Sequence, residues 1–307
     1  MRYVLITAAR NEEALIEHTL RSVTAQTVLP ARWVIVDDGS TDDTATVIGR
    51  YAERFAWIEL VARPPRQERS FAGKADAVNT AFERLQSTAF DIVGNLDGDV
   101  SFAPDYMAFV LAQFSADPRL GVAGTPFTEN GGYDSARDSF EGQNYVAGPF
   151  QLFRADCFRD IGGYVPNAAG GVDWMAVMTA RMRGWTVRAF PQKRFHHHRS
   201  MGTAQRGAVA ALFSYGEKDY YLGGSPVWQM FRVAYRVTKP PHLIGGLALF
   251  TGYVWAAMRR IPRPVSHELM AFHRQDQMQK LRAIVRRLLR RQTVDPFAVD
   301  AKGAGHQ

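Results

Sequence analysis

The sequence predicts an α/β fold: a Rossmann-like, mostly parallel sheet with flanking helices, followed by a helical C-terminal extension. Three observations predict it. Short apolar runs alternate with helix-like segments through residue 114. Polar clusters, Ala8–Glu12, Asp37–Ser40 and Asp97–Asp99, stand directly after three of those runs, where such sheets bind ligands. Lys and Arg are then concentrated after residue 227, in segments that read as helices.

The elements follow in order. Residues 3–7 (YVLIT) form a first strand, and 11–25 read as a helix. Residues 33–36 form a second strand, stopped by Asp37-Asp38-Gly39-Ser40, and 41–52 a second helix with Ser40 or Thr41 as candidate N-cap. Residues 57–61 form a third strand. The polar loop ARPPRQER (62–69) leads to a helix over 73–85, with Ala75, Val78 and Phe82 on one face. Residues 91–96 form a fourth strand ending in Asp97-Gly98-Asp99. A helix over 104–114 follows, with Pro104 in its first turn. The alternation implies parallel strands with right-handed crossovers, covered on both faces. Further on, 148–164 read as a strand leading into a short helix. A helix then runs from Val172-Asp173 to Arg183 and stops at Gly184.

The 307 residues are 46% hydrophobic and 22% charged, which excludes disorder, collagen and coiled coil for the whole chain. The single cysteine, Cys157, excludes an internal disulfide and a Cys-rich metal site and points to a reducing compartment. The N-terminal MRYVLITAARNEE lacks the pattern of a secretory signal.

Charge is unevenly placed. Residues 228–291 hold thirteen Lys and Arg against Glu268 and Asp276, a net +11, whereas the first 227 residues carry −3. A confined basic segment with an apolar stretch inside it points to an anionic membrane surface rather than to nucleic acid, for which no reading motif is present. That stretch, 243–258, has sixteen residues without a charge, and Lys239, Arg259, Arg260 and Arg263 flank it. It is shorter than the roughly 20 residues of a spanning helix, so it fits either a membrane-embedded or interfacial helix or a buried core helix. Gly245, Gly246 and Gly252 permit close packing or a bend. In LRAIVRRLLRR (281–291), Leu281, Ile284, Val285, Leu288 and Leu289 form one stripe opposite five arginines, the pattern of an interfacial basic helix. The alternative is a helix packing that stripe on the body.

Two carboxylates at i and i+2 around Gly98 turn toward one point, and a divalent cation offsets their repulsion while bridging to phosphate. Asp-Gly is equally common in plain surface turns. Asp37 and Asp38 are placed to accept hydrogen bonds from a ribose or base edge, and Asp42 and Asp43 fit a first helical turn. Lys74, beside a helix start, suits a diphosphate.

TAARNEE (7–13), IVDDGSTDDT (35–44), GKADAVNTAF (73–82) and NLDGDV (95–100), in this order and spacing, resemble the nucleotide-diphospho-sugar half of glycosyltransferase family 2, which has the GT-A fold. The resemblance covers roughly residues 3–200. It implies an inverting transfer from a nucleoside-diphosphate sugar with a divalent cation, Mn²⁺ or Mg²⁺, on the diphosphate. By position it implies that Thr7, Glu12, Asp37 and Asp38 hold the nucleoside and that Lys74 lies near the diphosphate or base. Asp97 and Asp99 form the Asp-Xaa-Asp site, Asp99 being the direct metal ligand. One departure appears: Ala8-Ala9-Arg10 replaces the family's frequent Pro-Xaa-Tyr, so the tyrosine beside the base is absent. Residues 148–164 resemble the acceptor-side block, and the resemblance makes Asp173 the catalytic base. Inversion needs such a carboxylate on the acceptor hydroxyl, although Asp173 also suits a helix N-cap.

His196, His197 and His198 cannot all face one ion in an extended chain. His196 and His198 share a face, and His198 is the preferred metal ligand, imidazole suiting Mn²⁺. Arg199 is an alternative neutraliser of the leaving diphosphate. Gln205-Arg206-Gly207 does not match the Gln-Xaa-Xaa-Arg-Trp of processive polysaccharide synthases, which favours addition of a single sugar.

The organisation expected is therefore a glycosyltransferase domain over 1–227, with donor half 1–100 and acceptor half 101–227, and a basic extension over 228–307. The expected acceptor is a lipid-linked or cell-envelope saccharide, and the expected location is cytoplasmic, peripheral or monotopic at the inner face of the cell membrane. Two rivals differ in class. A sugar nucleotidyltransferase would show glycines after the first strand, which TAARNEE lacks. A non-catalytic sugar-nucleotide or lipid-binding scaffold would not need Asp97, Asp99 and Asp173.

Overall fold

The computed structural model describes residues 1–64, 71–138, 141–167, 170–199 and 207–290. The end of the 62–69 loop, Gln205, Arg206, Arg291 and the acidic tail at 292–307 lie outside the described residues.

Residues 1–167 and 172–199 belong to one compact unit. Its elements are β1 (Tyr3–Ala9), α1 (Ile16–Thr24), β2 (Arg32–Asp37), α2 (Thr44–Arg54), β3 (Ile58–Ala62), α3 (Phe71–Leu85), β4 (Ile92–Leu96) and β5 (Val100–Ser101). They continue with α4 (Tyr106–Ala116), β6 (Leu120–Gly124), β7 (Phe127–Glu129), α5 (Ser135–Asp138), β8 (Phe150–Arg154) and α6 (Ala155–Asp160). The last are α7 (Val172–Met182), β9 (Thr186–Ala189) and β10 (Phe195–His197).

Seven strands form the main sheet in the order β3-β2-β1-β4-β8-β6-β9. Pairing is parallel from β3 through β4 and between β6 and β9, while β8 runs antiparallel to both β4 and β6. The apolar runs are unbroken because both faces are covered. Tyr3, Leu5, Trp33 and Ile35 enter one core, and Val4, Ile6, Val34 and Val36 enter the other. The crossover direction reverses between β1 and β4, so the crevice for a ligand opens beyond their carboxyl ends. A small sheet, β5-β10-β7, pairs β10 antiparallel with β5 and parallel with β7.

Four expected helix starts shift, α3 beginning at Phe71 rather than 73 and the other three later than expected. α1 begins at Ile16 rather than 11, because Asn11 takes φ 52, a conformation Asn tolerates through local hydrogen bonding. α2 begins at Thr44, with Asp43 in the N-cap position. Ser40 and Thr41 do not cap it: Ser40 bonds the Asp37 carboxylate instead, and Thr41 N donates to Asn11 Oδ1 at 2.9 Å. α4 begins at Tyr106, two residues after Pro104.

Residues 207–290 belong to the second compact unit, so α8 (Ala208–Tyr221) and the start of α9 (Pro226–Val237) group with the helical extension rather than with the body, as the boundary at 227 had placed them. α10 (Ile244–Met258) and α11 (His267–Leu289) complete it. Close packing, not a bend, is what the α10 glycines allow. A Cβ on Gly252 would lie 2.8 Å from the carbonyl carbon of Phe213, and one on Gly216 of α8 would lie 2.8 Å from Tyr253 N. Among the described residues no helix is long and apolar enough to cross a membrane. α11 buries Ile284 and half-buries Leu281, leaving Val285, Leu288 and Leu289 of the expected stripe exposed.

Candidate active site

Backbone turns after β1, β2 and β4 bring the acidic residues to one crevice. The turn after β1 is laced to the turn after β2: Asn11 N donates to Ser40 Oγ at 3.0 Å, and Glu12 N to Thr44 Oγ1 at 2.7 Å. Asp37 accepts from Ser40 N at 3.1 Å, and Asp38 N donates to Ala9 O at 2.9 Å. Asp38 is paired with Arg63 at 3.4 Å, and Arg63 also donates to Thr80 Oγ1 of α3 at 2.7 Å. Thr7 is not brought to the crevice: it is fully buried, and its hydroxyl accepts from Trp33 Nε1 at 3.0 Å.

Beyond β4 the chain turns through Asp97-Gly98-Asp99. Asp97 N donates to Pro149 O at 2.9 Å, and a Cβ on Gly98 would lie 3.7 Å from Glu12 Cγ, so this turn lies against the Glu12 loop. Lys74 Nζ bonds Asp97 Oδ1 at 2.5 Å. Burial works against the Lys74 charge, but Asp97, Asp173 and Asp99 outweigh it and raise the lysine pKa. Burial pushes Asp97 above the usual carboxylate range against the pull of Lys74, and the charge of Asp99 adds to the rise.

Asp99 is buried, with His197 Nε2 at 3.4 Å from Oδ1 and Arg199 Nε at 3.8 Å from Oδ2. Burial opposes ionisation of Asp99, yet His197 and Arg199 hold its carboxyl below the usual range. The reciprocal shift appears in His197: burial opposes its charge, but Asp99 and Glu129 raise its pKa. His197 Nδ1 lies 3.2 Å from Glu129 Oε1, so the imidazole bridges two carboxylates that are each 8% exposed. Arg199 donates to Glu12 Oε2 at 2.6 Å.

The expected parity of the histidines holds: the His196 and His198 rings lie 4.8 Å apart on one face. The face toward Asp99, however, is that of His197. His198 Nε2 is hydrogen-bonded to Ser101 Oγ at 2.9 Å, and its ring stacks on His18 at 4.3 Å. Glu129, Arg63 and Gly148 were not singled out from sequence. Arg63 in a polar loop and Glu129 in a short strand carry no sequence signal, and Gly148 enters only as the first residue of the 148–164 block.

Asp173 is the second residue of α7, inside the first turn rather than at the cap. Its carboxylate lies over Gly148: a Cβ there would be 2.7 Å from Asp173 Cγ. Gln151 Nε2 donates to Asp173 O at 3.4 Å and accepts through Oε1 from Tyr164. The charge of Asp173 reaches Lys74, so the acceptor-side carboxylate and the Asp97–Lys74 pair share one electrostatic environment.

Asp99 Oδ1 is buried and makes no hydrogen bond. A hard cation would satisfy that oxygen, and carboxylate is the donor such ions take. Among the described residues no group of three or more His, Cys, Asp or Glu side chains forms a complete cage. The donor set therefore fits an ion held by one or two carboxylates and completed by phosphate oxygens.

This sheet, with its acidic crevice at the switch point and a carboxylate on the opposing helix, defines the class: a GT-A-type glycosyltransferase. The model for glycosyl transferase family 2 matches residues 4–169, more than half of the chain. The chain belongs to that family, and the protein is a glycosyltransferase. It is 29% identical over 175 residues to poly-beta-1,6-N-acetyl-D-glucosamine synthase of Staphylococcus aureus (strain COL), a match covering 50% of this chain and 40% of that protein. The Staphylococcus epidermidis enzyme of the same name is 26% identical over an equal span. The chain thus spans less than half the length of these curated relatives. Among solved structures, mannosyltransferase PcManGT from Pyrobaculum calidifontis, in complex with GDP-Man and Mn²⁺, aligns with TM-score 0.55 and 23% identity over 88% of this chain and 77% of that one. S. aureus TarS 1-349 in complex with UDP-GlcNAc aligns with TM-score 0.54 and 14% identity over 98% and 91%. At these identities the likeness establishes the fold.

Proposed function

We propose that this glycosyltransferase moves one sugar from a nucleoside-diphosphate sugar to a hydroxyl of a lipid-linked or cell-envelope saccharide, with inversion. The reaction depends on Mn²⁺ or Mg²⁺, Asp173 is the base, and the protein works peripherally at the inner face of the cell membrane. The observation that carries this reading is the buried Asp99 Oδ1, which makes no hydrogen bond and has His197 Nε2 at 3.4 Å as its ion-pair contact, in the crevice whose Lys74 also senses Asp173.

In this reading Asp37 and Asp38 accept hydrogen bonds from the nucleoside, Arg63 fixing Asp38. Asp99 holds the cation, with Asp97 beside it and His197 the nearest imidazole. The ion, when bound, neutralises the diphosphate and stabilises it as leaving group. Lys74 and Arg199 add positive charge where charge develops on that group, in a crevice where burial strengthens the attraction. Glu12 orients Arg199 through their 2.6 Å bond. On the acceptor side, Asp173 takes the hydroxyl proton as the oxygen attacks the anomeric carbon and the diphosphate departs from the opposite face. Addition of one sugar per event follows from the absence of the processive signature. The match to the poly-beta-1,6-N-acetyl-D-glucosamine synthases covers 50% of this chain and 40% of theirs, so polymer synthesis is not carried over to this chain.

A thermal-shift screen of nucleoside diphosphates and their sugars, with and without Mn²⁺ or Mg²⁺, tests the donor and the ion. The expected result is a rise in Tm with one base that requires the ion. Asp173→Asn then keeps that shift and loses transfer. A parent-like transfer rate in Asp173→Asn removes the base assignment, and an ion-independent shift with full activity in EDTA removes the cation.

A further inference from the structure

The helical unit carries an apolar surface that its own packing does not use. α10 buries Gly245, Gly246, Leu249, Gly252 and Ala256 on one side. On the other side Ile244, Leu247 and Met258 are 59%, 61% and 71% exposed, with Phe250 and Trp255 beside them. The stripe follows helical spacing. Its one polar member, Thr251, spends its hydroxyl on Leu247 O at 2.9 Å and Ala248 O at 3.1 Å. Between this stripe and α8 runs a groove of about 650 Å³, lined by Val209, Ala210, Phe213, Ile244, Leu247 and Thr251. At the start of the helix Leu243, 70% exposed, is held at φ 53 and ψ −58, a strained conformation for a bulky residue.

We propose that this stripe and groove of α10 insert into the interfacial layer of an anionic lipid bilayer and so form the membrane-docking face of the protein. Charge decides the occupant. Residues 226–263 contain six Lys and Arg and no acid. Lys239 precedes the stripe, Arg259 and Arg260 follow it, and all three are exposed. The Arg259 guanidinium lies 4.6 Å from the Trp255 ring, an aromatic–cation pair suited to the headgroup level. A second copy docked on the α10 stripe by two-fold symmetry would set these cations against one another, since residues 226–263 offer no acid of their own. An anionic headgroup layer answers them all. Fifteen residues of helix reach about 22 Å, less than the roughly 30 Å hydrocarbon core, so α10 lies along the surface rather than across it. The proposal shifts docking from α11, which the sequence favoured, to α10. It rests on the peripheral-membrane reading but not on the donor, the ion or the base.

The test is flotation of the full-length protein with vesicles of phosphatidylcholine alone or mixed with phosphatidylglycerol. Parent protein is expected to float with the anionic vesicles and to be released by high salt. The variant Ile244→Ser/Leu247→Ser/Met258→Ser is expected to partition about 30-fold more weakly or worse, because each inserted aliphatic side chain contributes about threefold or more. Leu288→Ser/Leu289→Ser on α11 is expected to change partition less than threefold. A parent that ignores anionic vesicles overturns the peripheral reading itself. A parent that floats while the α10 variant floats equally well overturns the α10 face alone, whereas a parent that dimerises through α10 without binding vesicles overturns both. Should the triple variant fail to fold, Leu247→Cys carrying an environment-sensitive dye reads insertion directly, as a blue shift with anionic vesicles; an unshifted spectrum in vesicle-bound protein overturns the proposal. The native Cys157 is buried and does not compete for the dye.

Discussion

Gly148→Ala separates the geometry of the proposed base from donor binding. Gly148 has no positive φ, so alanine meets no backbone strain there, and the methyl group is the whole perturbation. That methyl would stand 2.7 Å from Asp173 Cγ and 3.0 Å from its Cβ. Carbons pack at roughly 3.5–4.0 Å, so the carboxylate must retreat by about 1 Å. Because Cβ is crowded as well, rotating the side chain does not suffice, and the first turn of α7 shifts too. Displacement of a reacting group by about 1 Å costs on the order of 100-fold in rate, or about 2.7 kcal/mol of barrier. The three atoms nearest that methyl all belong to Asp173. The expected result is therefore a kcat about 100-fold below parent, with an unchanged Kd for the donor diphosphate in the presence of the ion. The assay is single-turnover transfer beside isothermal titration with the nucleoside diphosphate. In Gly148→Ala/Asp173→Ala the rate should equal that of Asp173→Ala alone. Parent-like turnover in Gly148→Ala, or additive losses in the double variant, would refute the placement of Asp173 as the group that takes the proton.

Three further outcomes are expected. Asp99→Asn should abolish the ion-dependent part of the diphosphate thermal shift while leaving the apo protein folded, checked by melting with and without Mn²⁺. His197→Ala should leave Asp99 and Glu129 as two buried carboxylates without the imidazole they share, costing about 3 kcal/mol and lowering Tm by roughly 6–12 °C; calorimetry of the apo protein checks it. Gly252→Ala should force the α8–α10 crossing apart at Phe213 and cost about 1–3 kcal/mol, visible as an earlier unfolding transition, with donor binding retained.

The strands and the acidic crevice were legible because a doubly covered sheet writes itself as unbroken apolar runs, each ending where the backbone must become polar. The insertion of antiparallel β8 between β4 and β6 was not legible, since lateral strand order is decided by pairing between distant segments. The first helix starts move for a local reason: Ser40 Oγ accepts from Asn11 N, Asn11 Oδ1 from Thr41 N and Thr44 Oγ1 from Glu12 N, so polar side chains near the expected starts tie two loops together instead. With the histidines, parity along the strand was readable, but which parity faces Asp99 follows from the register of β10 against β5. α10 shows a third kind of blindness. Both its faces are apolar, so a search for polar against apolar positions finds no sidedness. Its asymmetry lies in size, with glycine and alanine inward against α8 and leucine, isoleucine and methionine outward.

The electrostatics of the crevice argue that its acids are there for a ligand. Glu12, Asp99 and Glu129 are buried, Asp97 is partly so, and each has a cationic partner: Arg199, His197 or Lys74. Buried ion pairs of this kind stabilise a fold no better than apolar side chains of equal volume, so stability alone gives no reason to assemble four carboxylates at one sheet edge. The partners are also incomplete in a directed way. Lys74 and Arg199 stand at the rim, 37% and 27% exposed in their side chains, whereas Asp99 Oδ1 is enclosed and without a hydrogen bond. A purely structural network would spend its donors on the enclosed oxygen first and leave the exposed one to water. The observed distribution leaves the enclosed oxygen with only the 3.4 Å contact of His197 and sets partly exposed positive charge at the mouth, an arrangement suited to a cation and the diphosphate it carries.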